Sequence, residues 1–450
     1  MSNSLGKKIT FLNLIKLTLP TVIMMIFFSL YTIIDGIFVS RFIGSNALSA
    51  INIVFPILSL LIGISIMLAT GGSAIVAKLM GEGKEREARE SFTLITLTSI
   101  ISGIVIAIFC FIFIDKIIYW LGGTESLYKN AYIYISTMLI FTPALILKML
   151  FDYFLITAGE PKLGLISSII GGVTNIVLDY IFIVPLKMGL VGAALATSIG
   201  YLLPSIIGVV YFFNKKNNLH FVKPKFNIKT ILDSCGNGSS EMVTQISTAV
   251  TTFLYNIIML KYLGEDGVAA ITILLYVQFL LAAAYMGFTS GASPRISYNL
   301  GKQDKHELTK IINYSYIIIL VFSIFTFVMS KVFGPKVISI FAGSGTEVFN
   351  ITLDGFNTFQ LSFLLCGLNI FASGMFTALS NGKVSATISM LRTFVFLSLG
   401  ILFLPGIIGI NGIWIAVPLA ELLTLVFSVF YTYKHKNTYG YSFKMQFDSY

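Results

Sequence analysis

Two carboxylates lie where a carboxylate is costly. Asp35 belongs to SLYTIIDGIF (29–38) and Asp179 to GGVTNIVLDYIF (171–182), both inside long apolar runs with no evident cationic partner nearby in the sequence. A charge at the centre of a bilayer costs about 2.5–3.5 kcal/mol on insertion scales, so an isolated one is a functional candidate. Asn175 precedes Asp179 by one helical turn and shares its face. At 1.5 Å per residue, Asp35, Asp179 and Thr197 of AALATSIG all fall about 9 Å inside one membrane boundary. Two carboxylates, an amide and a hydroxyl at one depth make a hard-oxygen cluster. It can hold Na⁺, with backbone carbonyls and water completing the shell. It can equally hold a proton, because burial and like charge favour the neutral carboxyl. The plainer role for Asn175 and Thr197 is hydrogen bonding between helices.

The remaining intramembrane charges have candidate partners. Lys148 and Asp152 are spaced to pair on one helix face. Arg392 and Glu421 fall near the middles of two successive spans, where adjacent helices could pair them. Lys16 and Arg295 lie near span ends and can snorkel. Glu241, in EMVTQISTAVTTFLYN, has no such partner. It could attract a cationic substrate, or cap a helix start after GNGSS. Pro20, fifteen residues before Asp35, removes a backbone hydrogen bond and permits a kink, either static or coupled to ion binding.

These residues need a membrane scaffold to position them, and the composition supplies one. Of 450 residues, 56% are hydrophobic and 11% charged, with a mean hydropathy of +0.89. Soluble domains carry about 25% charged residues. The apolar runs predict twelve spans, roughly 11–40, 47–79, 91–114, 130–157, 162–184, 190–213, 234–262, 267–299, 308–333, 348–379, 384–404 and 410–433. The run after MSNSLGKKIT is too long for a signal-peptide core and is expected to be a retained first span. With the N-terminus inside, 18 basic residues, from Lys7 and Lys8 to Lys444, face the cytoplasm and 7 face outward. This bias places both termini in the cytoplasm. The net charge of +10 therefore reflects topology rather than nucleic-acid binding. Cys110, Cys235 and Cys366 are scattered, with neither metal-ligand spacing nor a disulfide framework.

The chain repeats itself. A 220-residue shift lays GSNALSAI (44–51) on GEDGVAAI (264–271), Gly71 on Gly291 and Gly81 on Gly301. The same shift lays Pro185, Gly189, Gly192 and Ala196 on Pro405, Gly409, Gly412 and Ala416. The expected fold is therefore an all-α polytopic membrane protein, twelve transmembrane helices in two like-oriented six-helix bundles. The divisions are an N-terminal lobe at 1–213, a cytoplasmic linker at 214–230, a C-terminal lobe at 231–433 and a cytoplasmic tail at 434–450. The basic linker is expected to be a charged tether. Asp35 falls on Tyr255 and Thr21 on Glu241, so the first lobe carries the denser acid site.

The LP at 19–20 with an Asp fifteen residues later, the loops GEGKEREAR and GKQDKHELT, and AGEPKLG after the fourth span resemble the multidrug and toxic compound extrusion (MATE) transporters. The resemblance covers nearly the whole chain. It implies a V-shaped pair of lobes and H⁺- or Na⁺-coupled export of amphipathic, often cationic compounds, with no cofactor. It assigns the coupling ion to Asp35, Asn175, Asp179 and Thr197. No acid lies within the core of the tenth span, FNTFQLSFLLCGLNIF, so a second-lobe ion site is not expected. Met, Phe and Tyr suit cavity walls for organic cations. Candidates are Met24, Phe28, Tyr31, Phe154, Met286 and Phe288, each of which could instead pack against lipid. A flippase for lipid-linked saccharides is the nearest alternative, but it needs a basic cavity and the unpaired charges here are acidic. His220, His306 and His435 lie in cytoplasmic segments, and there is neither H-E-x-x-H nor Walker A, which argues against an enzyme or ATP-driven pump. The partners expected are a small organic substrate and membrane lipid, with the chain acting as a monomer in the cell membrane.

Overall fold

The computed structural model describes residues 4–6 and 8–443; Lys7 and Lys444 lie outside them. Fifteen α-helices lie among the described residues: α1 Phe11–Phe38, α2 Ser45–Gly81, α3 Glu85–Ile112, α4 Ile114–Trp120, α5 Glu125–Ile140, α6 Thr142–Thr157, α7 Pro161–Ile183 and α8 Gly189–Phe213 form the first half. The second half comprises α9 Ile228–Lys302, α10 Lys305–Phe341, α11 Glu347–Phe359, α12 Cys366–Ala378, α13 Gly382–Met390, α14 Phe396–Ile408 and α15 Ile410–Tyr439. Ten described helical stretches are long and apolar enough to cross a membrane.

Reconciling these ten with twelve spans turns on two places. Helix α9 is 75 residues long but contains Gly264 at φ 65°, ψ −154°. That left-handed φ is open to glycine and strained for other residues, so α9 is two spans joined without a loop. Helices α5 and α6 are bent by 59° and together make one more. The continuous fourth span at 130–157 is thus corrected to a broken one. Its cause is readable in FTPAL: Pro143 supplies no N–H to the preceding turn and its ring crowds the carbonyl there, and the break falls at Phe141, with α6 starting at Thr142. Pro20, by contrast, leaves α1 unbroken. Around it the Thr18 hydroxyl donates to the Leu14 carbonyl at 2.9 Å and that of Thr21 to the Thr18 carbonyl at 2.7 Å.

The linker is not a free tether along its length. Phe221 stacks on Phe92 at 5.0 Å between ring centres, beside Phe212 and Phe213. Arg89 Nε donates to the Asn218 carbonyl at 2.8 Å, and the Val222 N–H donates to Thr93 Oγ1 at 3.1 Å. An aromatic side chain buries enough apolar surface to hold such a segment down. Only the stretch from Lys223 to the Asn227 cap of α9 remains to span the halves.

The two halves meet at the end that carries Leu5, Ile9 and Tyr441. There the core around Phe92 and Phe154 also packs Cys235 and Tyr298 of the second half. The core around Phe371 and Met375 takes in Ile9 and Leu14 of the first. At the opposite end, the core around Ile57 and Ile135 and the core around Phe359 and Trp414 each draw, among the described residues, on one half alone. The molecule is closed at one end and divided at the other.

Candidate functional site

Helices α1, α7 and α8 bring the expected cluster together at the divided end. Glycine makes the approach possible: a Cβ at Gly171 would overlap the Gly200 carbonyl and Pro204, and one at Gly172 would overlap Phe27 and Tyr31. One turn further along α7 stands Asn175, and one more turn brings Asp179. Asp179 is fully buried, and Asn175 and Thr197 nearly so. The Thr197 hydroxyl donates to the Ala193 carbonyl at 3.0 Å and accepts from Asn175 Nδ2 at 3.4 Å. The carboxyl groups of Asp35 and Asp179 lie within hydrogen-bonding range of each other, and Asn175 reaches both.

No fixed positive charge among the described residues pairs with the cluster. Among the described residues, no protein donor with ordinary geometry satisfies Asp35 Oδ1, either oxygen of Asp179, or Asn175 Oδ1. Two carboxyl groups can share a hydrogen bond only if one carries the proton, and two carboxylates can adjoin only with a cation between them. Buried acceptors without partners are costly enough to require such an explanation. Tyr134 and Tyr201 add phenol groups within electrostatic range of Asp35, and both were missed in the sequence. Tyr201 follows Thr197 by one turn, a spacing that would have found it; no comparable signal marks Tyr134.

The paired charges are as expected. Lys148 Nζ lies 2.7 Å from Asp152 Oδ2, both almost wholly buried. Ser168 Oγ donates to Asp152 Oδ1 at 3.2 Å, and the ammonium stands 4.4 Å from the centre of the Phe28 ring. Breaking such a pair from one side strands a buried charge. Lys148→Met should therefore cost about 3–5 kcal/mol of stability. Thermal unfolding in detergent checks it, with Lys148→Met/Asp152→Leu recovering most of the loss. Arg392 Nε meets Glu421 Oε1 at 2.8 Å.

Glu241 faces a cavity of about 50 Å³ between the halves, with Thr70, Ser73, Tyr153, Met286 and Thr289. That space holds a few waters and no organic compound. Met286 is the one apolar candidate brought to this cavity. Phe154 and Phe288 pack inside the two cores at the joined end, against Phe92 and Phe371 respectively. Their burial fills these shared apolar cores, a role that periodicity does not distinguish from cavity lining. Met24 and Tyr31 are buried on α1, with Tyr31 against Phe28.

Fold and sequence together define the class: a multi-pass, all-helical membrane transport protein, not an enzyme. The MatE family model matches the chain twice, over residues 20–181 and 241–402, and the chain belongs to the MatE family. The two matches are offset by within one residue of the internal 220-residue shift. "Multidrug export protein MepA" of Staphylococcus saprophyticus subsp. saprophyticus is 26% identical over 420 residues, covering 90% of each chain. The protein of that name from Staphylococcus aureus (strain NCTC 8325 / PS 47) is 22% identical over 439 residues, covering 95% of this chain and 94% of the relative. A solved structure described as the outward-facing conformation of a multidrug resistance MATE family transporter of the MOP superfamily superposes with a TM-score of 0.91. It is 22% identical, with 98% of this chain and 99% of that chain covered.

Proposed function

We propose that the protein exports amphipathic, often cationic organic compounds in exchange for H⁺ or Na⁺, which binds at Asp35, Asn175, Asp179 and Thr197. The observation that carries the reading is the convergence of unpartnered acceptor oxygens around two adjacent buried carboxyl groups. The names of the relatives support drug-like substrates. The protein works as a monomer in the cell membrane with both termini in the cytoplasm, as the 18-to-7 distribution of basic residues favours.

Coupling follows from linkage. Ion at the first-half site and substrate between the halves favour opposite states, so each lowers the other's affinity by the same factor. An inward ion gradient then drives outward substrate flux while the halves rock. The division at the site end and closure at the opposite end suit a state in which ion enters from outside. Glu241, which lines the small cavity between the halves, supplies attraction for an organic cation once the halves part and that space enlarges.

The test is uphill efflux of a fluorescent organic cation from inside-oriented proteoliposomes, with the Na⁺ and proton gradients imposed one at a time. One of them should drive accumulation against the dye gradient. Equal downhill flux under both regimes would reduce the protein to a passive pore and overturn the proposal.

A further inference from the structure

The small cavity at Glu241 lies where the symmetry of the two halves brings equivalent residues together. Thr70 and Ser73 of α2 line it from the first half. The 220-residue shift carries them to Ser290 and Ser293 of α9, which line it from the second. The charge does not share this symmetry. Glu241 is the one carboxyl among the described lining residues, and the shift pairs it with Thr21, which is not among them. The cavity is therefore even in hydroxyls and uneven in charge.

What these hydroxyls have left to offer is lone pairs. A hydroxyl donates one proton and accepts at two positions. The Thr70 hydroxyl donates to the Ile66 carbonyl and the Ser73 hydroxyl to the Thr70 carbonyl, both at 2.9 Å. Thr289, also in the lining, donates to the Tyr285 carbonyl and Ser293 to the Thr289 carbonyl, both at 2.8 Å. All four are left as acceptors. Among the described residues, no hydrogen bond or ion pair reaches the Glu241 carboxyl. Two buried cations on elements packed against α9 are already engaged, Lys148 by Asp152 at 2.7 Å and Arg392 by Glu421 at 2.8 Å. Glu421 Oε2 in turn accepts from Asn369 Nδ2, and Asn369 Oδ1 from Ser428 Oγ, each at 2.8 Å. A carboxylate among acceptors in a narrow space calls for a positive guest.

We propose that this cavity is a Na⁺ site, built from Glu241 and hydroxyl oxygens of both halves, and that Na⁺ bound there holds the halves joined. Carboxylate and hydroxyl oxygens are the ligands a hard cation takes. One carboxylate balances one positive charge, and a divalent ion would leave a buried charge uncompensated. A space of about 50 Å³ admits such an ion with a few waters. Parting the halves carries Thr70 and Ser73 away from Glu241 and Ser293, which dismantles the site. Na⁺ therefore favours the joined state by its differential affinity. The site differs from the cluster at Asp35 and Asp179 in drawing on both halves, and does not depend on coupling there. One consequence rests on the reading of Glu241 as the group that attracts a cationic substrate: Na⁺ withholds that carboxyl from an organic cation until the halves part.

Equilibrium binding of radiolabelled Na⁺ to detergent-solubilised protein in alkaline buffer tests this. Whichever ion the first-half cluster takes, Glu241→Gln should bind one Na⁺ fewer than the native protein. The substitution is isosteric and removes no fixed partner, so thermal unfolding should stay native. Asp35→Asn/Asp179→Asn should keep the Na⁺ at Glu241, and adding Ser293→Ala to that variant should weaken it about tenfold. Na⁺ should also slow maleimide labelling of Cys235, partly buried beside the seam, several-fold in the native protein and not in Glu241→Gln. Equal Na⁺ stoichiometry in native protein and Glu241→Gln would mean a protonated or merely hydrated carboxyl, and overturns the site. A lost Na⁺ with unchanged labelling overturns its hold on the joined state. Efflux that follows neither gradient, beside Na⁺ binding that depends on Glu241, sinks the exchange reading and leaves this one standing.

Discussion

Asp179→Asn should abolish gradient-driven efflux while leaving the protein folded and able to exchange substrate passively. The substitution is isosteric at a side chain that is fully buried. In place of a carboxyl that needs a guest, it sets an amide whose N–H can donate permanently to Asp35. The lobe is then held in its ion-loaded condition whatever the gradient, so ion and substrate no longer oppose each other. Uphill dye efflux should fall to the background of empty vesicles, whereas dye counterflow should persist. Ion-triggered changes in intrinsic tyrosine fluorescence should also disappear, because Tyr31 and Tyr134 border the pair. Asp35→Asn should behave alike. Thr197→Ala removes an acceptor for Asn175 rather than a charge, and it should only weaken ion affinity. Gradient dependence surviving in Asp179→Asn would remove the basis for coupling at this site.

The cluster was legible because depth is one-dimensional. Counting residues from a span boundary puts Asp35, Asp179 and Thr197 at one level, and the four-residue spacing aligns Asn175 with Asp179. Facing one another is a matter of helix rotation, which depends on contacts such as Gly171 with Gly200 that no local pattern specifies. The same limit hid Tyr134, which reads in sequence as one more aromatic on a membrane helix. Pairing of Lys148 with Asp152 was legible since both belong to one helix. The route from Glu421 through Asn369 to Ser428 was not, because it crosses between α12 and α15. Phe221 lies within a run of lysines and asparagines, so composition concealed that its ring anchors the linker. The fold class was the easiest part, as hydropathy and a 220-residue repeat act over the whole chain.

Closure at the joined end rests on backbone meeting backbone, and this sets the second large expectation. A Cβ at Gly81 would overlap the carbonyl of Tyr298, and one at Gly301 would overlap the carbonyl of Lys78. The 220-residue shift carries Gly81 to Gly301 and Lys78 to Tyr298, so the two halves offer each other the same contact. Nearby, a Cβ at Gly71 would strike the Ser234 carbonyl and one at Gly238 the Met67 carbonyl. Obstacles made of helix backbone cannot swing aside as a side chain would. Gly81→Ala/Gly301→Ala should therefore hold this end apart and reduce transport to background. In isolation, glycine to alanine within a helix is stabilising by about 1 kcal/mol per site, so lost transport in a stable protein separates blocked closure from misfolding. Cys235 provides a native reporter, since it is partly buried beside the seam while Cys110 and Cys366 are buried. Its labelling by a maleimide should accelerate in the double variant. Normal efflux with native labelling rates would mean that the halves can close without this contact, leaving rocking about the glycine seam unsupported.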